Sequence, residues 1–340
     1  MRILVHEFVS GGGLAGRAVP PSLAREGAAM RDALVEDLAA LQSHDIVTTA
    51  DPRFPLRRAP RGVEVVLAHD GAAALDALFR RTDAAWLVAP ETGGCLERLA
   101  ARATRRGVRL LGPNPGAIRR AADKASLPSY LAKGGVPHPA TCVVRSPAGA
   151  LGAARRLGFP VVVKPGRGAG CAGVSLARRE ADLYAAFERA QRADDAKRVL
   201  VQRYVPGKPA SVALLSDGRR SLVLAVSAQA LAASPRFAYA GGETPLAHPQ
   251  AGRAAALAQR ACRSLPGLKG YVGVDVVLTE AGAVVIEVNP RLTTAYLGIR
   301  AALAENVAAL ALLACAGTLG ASPPPRRRVS FTAAGRVTSA

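Results

Sequence analysis

Residues 270–294 read GYVGVDVVLTEAGAVVIEVNPRLTT. Two runs rich in β-branched residues, 270–278 and 284–294, flank Thr279, Glu280, Ala281 and Gly282, which is the signature of a β-hairpin. With the turn centred on Ala281, Asp275 faces Glu287 across the two strands, and side-chain alternation sends Asn289 to the same face as Glu287. Three oxygen-bearing side chains then converge in an otherwise apolar hairpin. Such a set suits Mg²⁺, a hard cation that takes a few protein oxygens and completes its octahedron with water and substrate phosphates. The competing reading is a solvated strand face with chance carboxylates, but such a face would accept Lys, Thr or Ser equally well at these places.

Upstream, FPVVVKP at 159–165 runs into GRGAGCAG at 166–173, a strand ending in Lys164 followed by a glycine-rich loop. Glycines let backbone N–H groups approach phosphate oxygens, and a lysine at a strand end supplies a point charge. No GKS or GKT follows, so this is not a P-loop, and taken alone the segment reads equally well as a surface loop. The lysines sharpen it. Of 45 basic residues only six are lysine, yet Lys124 and Lys164 are two of them, which points to a compact ammonium at those places rather than a guanidinium fork. A third segment, VLVQRYVPGKPAS at 199–211, is a strand broken at Pro206 and Gly207, where backbone groups of Arg203 and Val205 can read an adenine edge. By itself it is an interlobe connection.

The first hundred residues alternate β-like runs (3–9, 63–67, 85–89, 108–111) with helical patterns near 22–41, 71–80 and 95–106, which predicts a parallel α/β sheet. Gly112 to Pro115 break the pattern, and a helix carrying Asp123 and Lys124 follows. Further strands are expected at 210–215, 221–227, 272–278 and 283–289, and helices near 180–193, 250–264 and 296–316. SPPPRRR at 322–328 reads as a linker into a short tail.

A chain of 340 residues with 50% hydrophobic content can bury a large core in two or three lobes. Its longest apolar stretch, 307–316, is too short to span a bilayer, and MRILVHEFV at the start lacks the layout of a signal peptide. A cytoplasmic protein without a membrane span is the expectation. Five dispersed cysteines fit reduced thiols rather than a disulfide or zinc framework. The formal charge of +20 raises nucleic-acid binding as an alternative; against it, the arginines are dispersed, with one tight run at 326–328, and aromatics make up 4%.

Taken in order, Asp123-Lys124, VVVKP with its glycine loop, the strand at 199–205, GVDVVL and EVNPR resemble the ATP-grasp superfamily over about residues 113–320. The resemblance implies an α/β ATP-grasp fold: an N-terminal Rossmann-like pre-ATP-grasp lobe (1–112), a lid lobe (113–205), a C-terminal catalytic α+β lobe (206–322), and a linker and tail (323–340). It implies ATP with Mg²⁺, Mn²⁺ being an alternative, and an ATP-dependent ligase forming an amide through an acyl phosphate. Lys124 and Lys164 would lie on the α- and β-phosphates, and the lid with Gly168, Gly170 and Gly173 above them. Gln202 and the backbone of Arg203 and Val205 would surround adenine, and Asp275, Glu287 and Asn289 would bind the metal. Arg291, with Lys164 the catalytic cation, would stand near the γ-phosphate and the substrate carboxylate. Gln202 departs from the Glu of many members, and Lys208 and Pro209 replace an acidic residue that commonly holds the ribose.

Within the superfamily, EFVSGGG, the hinge Gln, GKPAS and NPRLTT look like the tyramine-glutamate ligase group of methanofuran biosynthesis and its bacterial relatives. That resemblance implies glutamate as the carboxylate and a tyramine- or tyrosine-like amine, the alternatives being a ligase for another amino-acid pair or a non-enzymatic ATP-binding protein; no nucleic acid or membrane is expected as partner, and a homodimer is left open. Gly11, Gly13 and Gly16 formally satisfy GxGxxG, but Pro20 and Pro21 interrupt the helix that a dinucleotide fold requires. The loop is expected instead to face the acceptor substrate. There glycines 11–13 leave room for a flat ring, Tyr296 forms a wall, and His6 and Glu7 are candidate contacts, His6 more readily a structural residue.

Overall fold

The computed structural model describes residues 1–69, 71–194, 196–233 and 236–339, whose strands form three sheets. The first holds β1 (Arg2–Glu7), α1 (Pro21–Ala39), β2 (Asp45–Ala50), β3 (Glu64–Leu67), α2 (Gly71–Phe79), β4 (Ala84–Val88), α3 (Cys95–Arg105) and β5 (Arg109–Leu110). Its strands are parallel in the order β3-β2-β1-β4-β5. The order reverses between β1 and β4, so the carboxyl ends of those two strands open a crevice of the kind in which doubly wound sheets bind ligands. Pro20 and Pro21 do not interrupt α1 but start it, Pro21 standing in its first turn.

Asn114 caps α4 (Pro115–Ala122) by accepting from the Ala117 amide at 2.8 Å, and Asp123 leaves the helix in extended conformation. Asp123 and Lys124 therefore stand in the turn between α4 and α5 (Leu127–Lys133), past the end of the helix expected to carry them. Next come β6 (Thr141–Val144), α6 (Pro147–Leu157), β7 (Val161–Pro165), β8 (Ser175–Ala177), α7 (Leu183–Arg192) and β9 (Val199–Arg203). These strands make an antiparallel sheet in the order β6-β9-β7-β8, with α6 and α7 closing a core of its own around Val163, Phe187 and Val201.

The last sheet contains β10 (Lys208–Ser216), β11 (Ser221–Ala233), β12 (Phe237–Thr244), β13 (Gly270–Thr279), β14 (Gly282–Asn289), β15 (Val329–Thr332) and β16 (Val337–Ser339). Their order is β14-β13-β10-β11-β12-β15-β16. Helix α8 (Ala251–Arg263) covers one face, while α9 (Ala295–Ala302) and α10 (Val307–Ala316) pack on the other. That second face shares one hydrophobic cluster with the parallel sheet, Met30 and Leu34 of α1 meeting Leu215, Tyr271 and Tyr296. The parallel sheet and the hairpin strands thus form one frame.

Two expectations change. The helix expected over 296–316 is two helices, because Leu303 turns extended and Asn306 caps a new start by accepting from the Ala309 amide at 3.0 Å. The stretch expected as linker and tail carries β15 and β16, with Val329 and Phe331 buried and β15 paired to β12.

Candidate active site

The hairpin register sets Asp275 opposite Glu287 and Gly273 opposite Asn289. Asp275 Oδ1 accepts from Gln229 Nε2 at 2.9 Å and Oδ2 from Asn289 Nδ2 at 3.0 Å, so the carboxylate is held from both sides. Burial and the neighbouring Glu287 push the Asp275 carboxyl up to about 6. Burial opposes charge on Glu287 as well, but Lys124 and Lys164 outweigh it and hold that carboxyl below its usual range. No group of three or more His, Cys, Asp and Glu side chains stands ready for a metal among the described residues. Two carboxylates of like charge plus one amide oxygen nonetheless match the few hard ligands Mg²⁺ asks of a protein, and a divalent cation would relieve their repulsion.

Lys124 Nζ lies 3.1 Å from Glu287 Oε2 and donates to the Gly168 carbonyl at 3.0 Å. It thereby ties the glycine loop to the hairpin. Burial works against its charge, and Glu287 and Glu91 together hold its pKa above the ordinary value. Lys164 at the end of β7 is buried and donates to Gln202 Oε1 at 2.9 Å, while Gln202 Nε2 donates to Thr141 Oγ1 at 2.8 Å. Gln202 supplies an acceptor but no counter-charge, and burial brings Lys164 down to about 8.

The residues expected to hold ATP, the metal and the reacting carboxylate (Lys124, Lys164, Gly168, Gly170, Gly173, Gln202, Arg203, Val205, Asp275, Glu287, Asn289 and Arg291) line a single cleft of about 1580 Å³. The Arg203 amide is already spent on the Ala140 carbonyl at 2.9 Å, so of its backbone the N–H cannot serve an adenine. Arg291 is paired with Glu91 through two hydrogen bonds, Nε to Oε1 at 2.9 Å and Nη2 to Oε2 at 3.1 Å.

On the opposite side the same cleft reaches Glu7, Phe8, Arg25, Glu26, Met30 and the Val88–Pro90 end of β4, the crevice of the parallel sheet. Burial raises the Glu7 carboxyl, against hydrogen bonds from Ser10 and Val9 that make it the anchor of the loop after β1. His6 points away from the cleft onto Thr49 Oγ1 at 2.8 Å and is a structural residue.

Two expectations for the acceptor side fail. Tyr296 is no wall, since its ring is buried edge-on to Tyr271 and its hydroxyl donates to Asp37. Glycines 11–13 leave no open space: a Cβ on Gly11 would meet the Glu7 carbonyl at 2.3 Å and one on Gly13 the Phe8 ring at 2.2 Å. Tyr239 and the 332–334 turn line the cleft instead. Gln229, Glu91, Tyr239 and that turn are residues the sequence reading missed.

Residues 121–295 match the model of the ATP-grasp domain and residues 44–118 that of the pre ATP-grasp 3 domain. The chain belongs to the ATP-grasp family. The carbamoyl phosphate synthase large chain of Gemmatimonas aurantiaca is 31% identical over 191 residues, covering 54% of this ATP-grasp chain and 17% of that protein. A Sinorhizobium fredii protein, y4rH, is 30% identical over 275 residues, covering 76% and 55%. The ATP-grasp chain thus spans about a sixth and about half the length of these curated relatives. Among solved structures, a putative ATP-grasp superfamily protein from Archaeoglobus fulgidus superposes with a TM-score of 0.73 over 98% of this chain and 92% of its own, at 24% identity. No helix among the described residues is long and apolar enough to cross a membrane.

Proposed function

We propose that this ATP-grasp protein is a carboxylate–amine ligase that activates its carboxylate as an acyl phosphate. The observation that carries this reading is the meeting of the buried Lys164, the half-buried Lys124, a glycine loop and the Asp275–Glu287–Asn289 set in one cleft. ATP would lie with its α- and β-phosphates on Lys124 and Lys164 beneath the 166–173 loop. Its adenine would lie by Gln202, Val205 and the carbonyl side of Arg203. Magnesium held by Asp275, Glu287 and Asn289 would neutralise charge on the phosphoryl oxygens. A carboxylate oxygen attacks the γ-phosphorus and ADP leaves; the amine nitrogen then attacks the acyl carbon, phosphate leaves, and the nitrogen gives up a proton. Lys124 gives the chain a means of drawing the loop over the hairpin, which keeps water from the acyl phosphate.

For the substrates we propose L-glutamate, activated at its side-chain carboxylate, and a tyramine- or tyrosine-like amine, in the assembly of a one-carbon cofactor of the methanofuran kind. The resemblance of FVSGGG, GKPAS and NPRLTT supports this. The acceptor side also fits it, because Glu26 offers an acidic group to an ammonium and Tyr239 offers a ring face. Incubation with ATP, magnesium, glutamate and either tyramine or tyrosine should release ADP and yield a γ-glutamyl amide detectable by mass spectrometry. ADP release only with unrelated pairs, such as alanine with alanine, would refute the substrates and leave the ligase.

A further inference from the structure

Arg291 lines the cleft, but its partner Glu91 does not. Glu91 follows β4 at the point where the parallel sheet reverses its strand order, and it reaches across 200 residues of chain to the end of the catalytic hairpin. Its side chain is 4% exposed and that of Arg291 14%, so the pair is a desolvated fork-on-carboxylate contact rather than a surface ion pair. A guanidinium carries five N–H groups. Glu91 takes two, on Nε and Nη2, and the Leu292 carbonyl takes a third from Nη1 at 3.1 Å, leaving two N–H groups, one each on Nη1 and Nη2.

We propose that Glu91 is a positioning residue, supplied by the parallel sheet, which grips Arg291 from behind by its Nε edge and so aims the remaining N–H groups at the phosphoryl group in transfer. Without that grip a side chain with several rotatable bonds would have to be ordered by the substrate itself. The core shared by the parallel sheet and the hairpin ties the elements that carry Glu91 and Arg291 together. The inference rests on the ligase reading only for what the transferred group is attached to.

Wild type, Glu91→Gln, Glu91→Asp, Arg291→Lys and the Glu91→Gln/Arg291→Lys double variant are compared in two assays. Calorimetry measures binding of MgADP alone and of MgADP with beryllium fluoride, a mimic of the γ-phosphoryl group; ADP release is followed with glutamate and tyramine. Glu91→Gln should leave MgADP affinity unchanged, which also reports an intact fold, and weaken the fluoride complex by about tenfold. It should lower kcat by about a hundredfold, with partial recovery in Glu91→Asp. Added to Arg291→Lys, it should cost nothing further, because both act through one guanidinium. Equal weakening of both nucleotide complexes, or losses that multiply in the double variant, would make the pair a mere strap between sheets and overturn the proposal. A fluoride-specific loss in a protein that forms no amide with any pair would sustain the positioning role and remove the ligase reading. Amide formation with Glu91→Gln equal to wild type in both assays would do the reverse.

Discussion

Lys124 Nζ sits 3.1 Å from Glu287 Oε2 and, on its other side, 3.0 Å from the carbonyl oxygen of Gly168. One ammonium therefore joins the glycine loop to the hairpin. A phosphate bound as proposed would compete for the same N–H groups, which would link loop position and phosphate binding through this lysine.

Glu287→Gln should abolish turnover while the fold persists. The change removes a proposed ligand of the metal and the counter-charge of Lys124 together, and loss of a metal's charge stabilisation is worth several kcal/mol, or about a thousandfold in kcat. ADP release against an unchanged circular dichroism spectrum checks it. Near-normal ADP formation would remove Glu287 from the metal site.

Lys164→Ala should weaken MgATP binding by about ten- to a hundredfold, as expected for charge-assisted hydrogen bonds, whereas Lys133→Ala on the exposed end of α5 should not. Burial already lowers Lys164 to about 8, so the free protein loses this charge as pH rises through that value. Bound phosphates favour the protonated form, and MgATP affinity should therefore fall above pH 8 while binding takes up a proton near pH 8 to 9. Calorimetry in two buffers of different ionisation enthalpy measures that uptake. Equal affinities for the two variants would count against the assignment.

The hairpin was legible because period-two alternation fixes which side chains meet, and Asp275 does face Glu287. Lys164 was legible because a short apolar strand carries it at its end, just before a run of glycines, in a chain with only six lysines. Glu91 was not, since a single acidic residue between Pro90 and Thr92 has no periodic context; only the strand order, which places the end of β4 at the reversal, marks it. Gln229 lies on the same strand face as Ser227 in a run of small residues too bland to signal a site. Strand β12 escaped notice because Gly241 and Gly242 erase its alternation; a Cβ on Gly241 would meet the Phe331 carbonyl of β15 at 2.0 Å, and one on Gly242 the Ala228 carbonyl of β11 at 2.1 Å. Glycines 11–13 were misjudged for the same reason, their small size serving tight packing rather than open space.

His6 should make the fold acid-sensitive well above the carboxylate range. It is 1% exposed, and burial, then Arg102, lower its pKa from 6.5 to about 4. As pH falls from about 6.5 to about 4 the unfolded chain takes up a proton that the folded chain refuses, so stability is present above that window and is lost through it, by up to about 3 kcal/mol. His6→Asn, which does not titrate and can still meet Thr49, should flatten the decline in urea midpoint between pH 7 and pH 5. Parallel declines in the two proteins would exclude His6 as the cause.

The chain's last strands should divide sharply in importance. Phe331 of β15 is buried against α9, where a Cβ on Gly298 would meet its ring at 2.3 Å, while every described residue of β16 is exposed. Phe331→Ala should therefore cost about 3–5 kcal/mol, the range for deleting a buried ring, and lower Tm by roughly 10 °C. Truncation after Gly335 removes described residues that are all exposed and should stay within about 1 kcal/mol. The two changes should also differ in the cleft. Residues 332–334 line it together with Tyr239, the ring proposed to meet the amine, so a loosened β15 should raise KM for the amine by more than it raises KM for ATP. Thermal melts and paired KM measurements decide the matter. If Phe331→Ala melts like the truncation and leaves both KM values unchanged, the last strands neither brace the sheet nor shape the acceptor side.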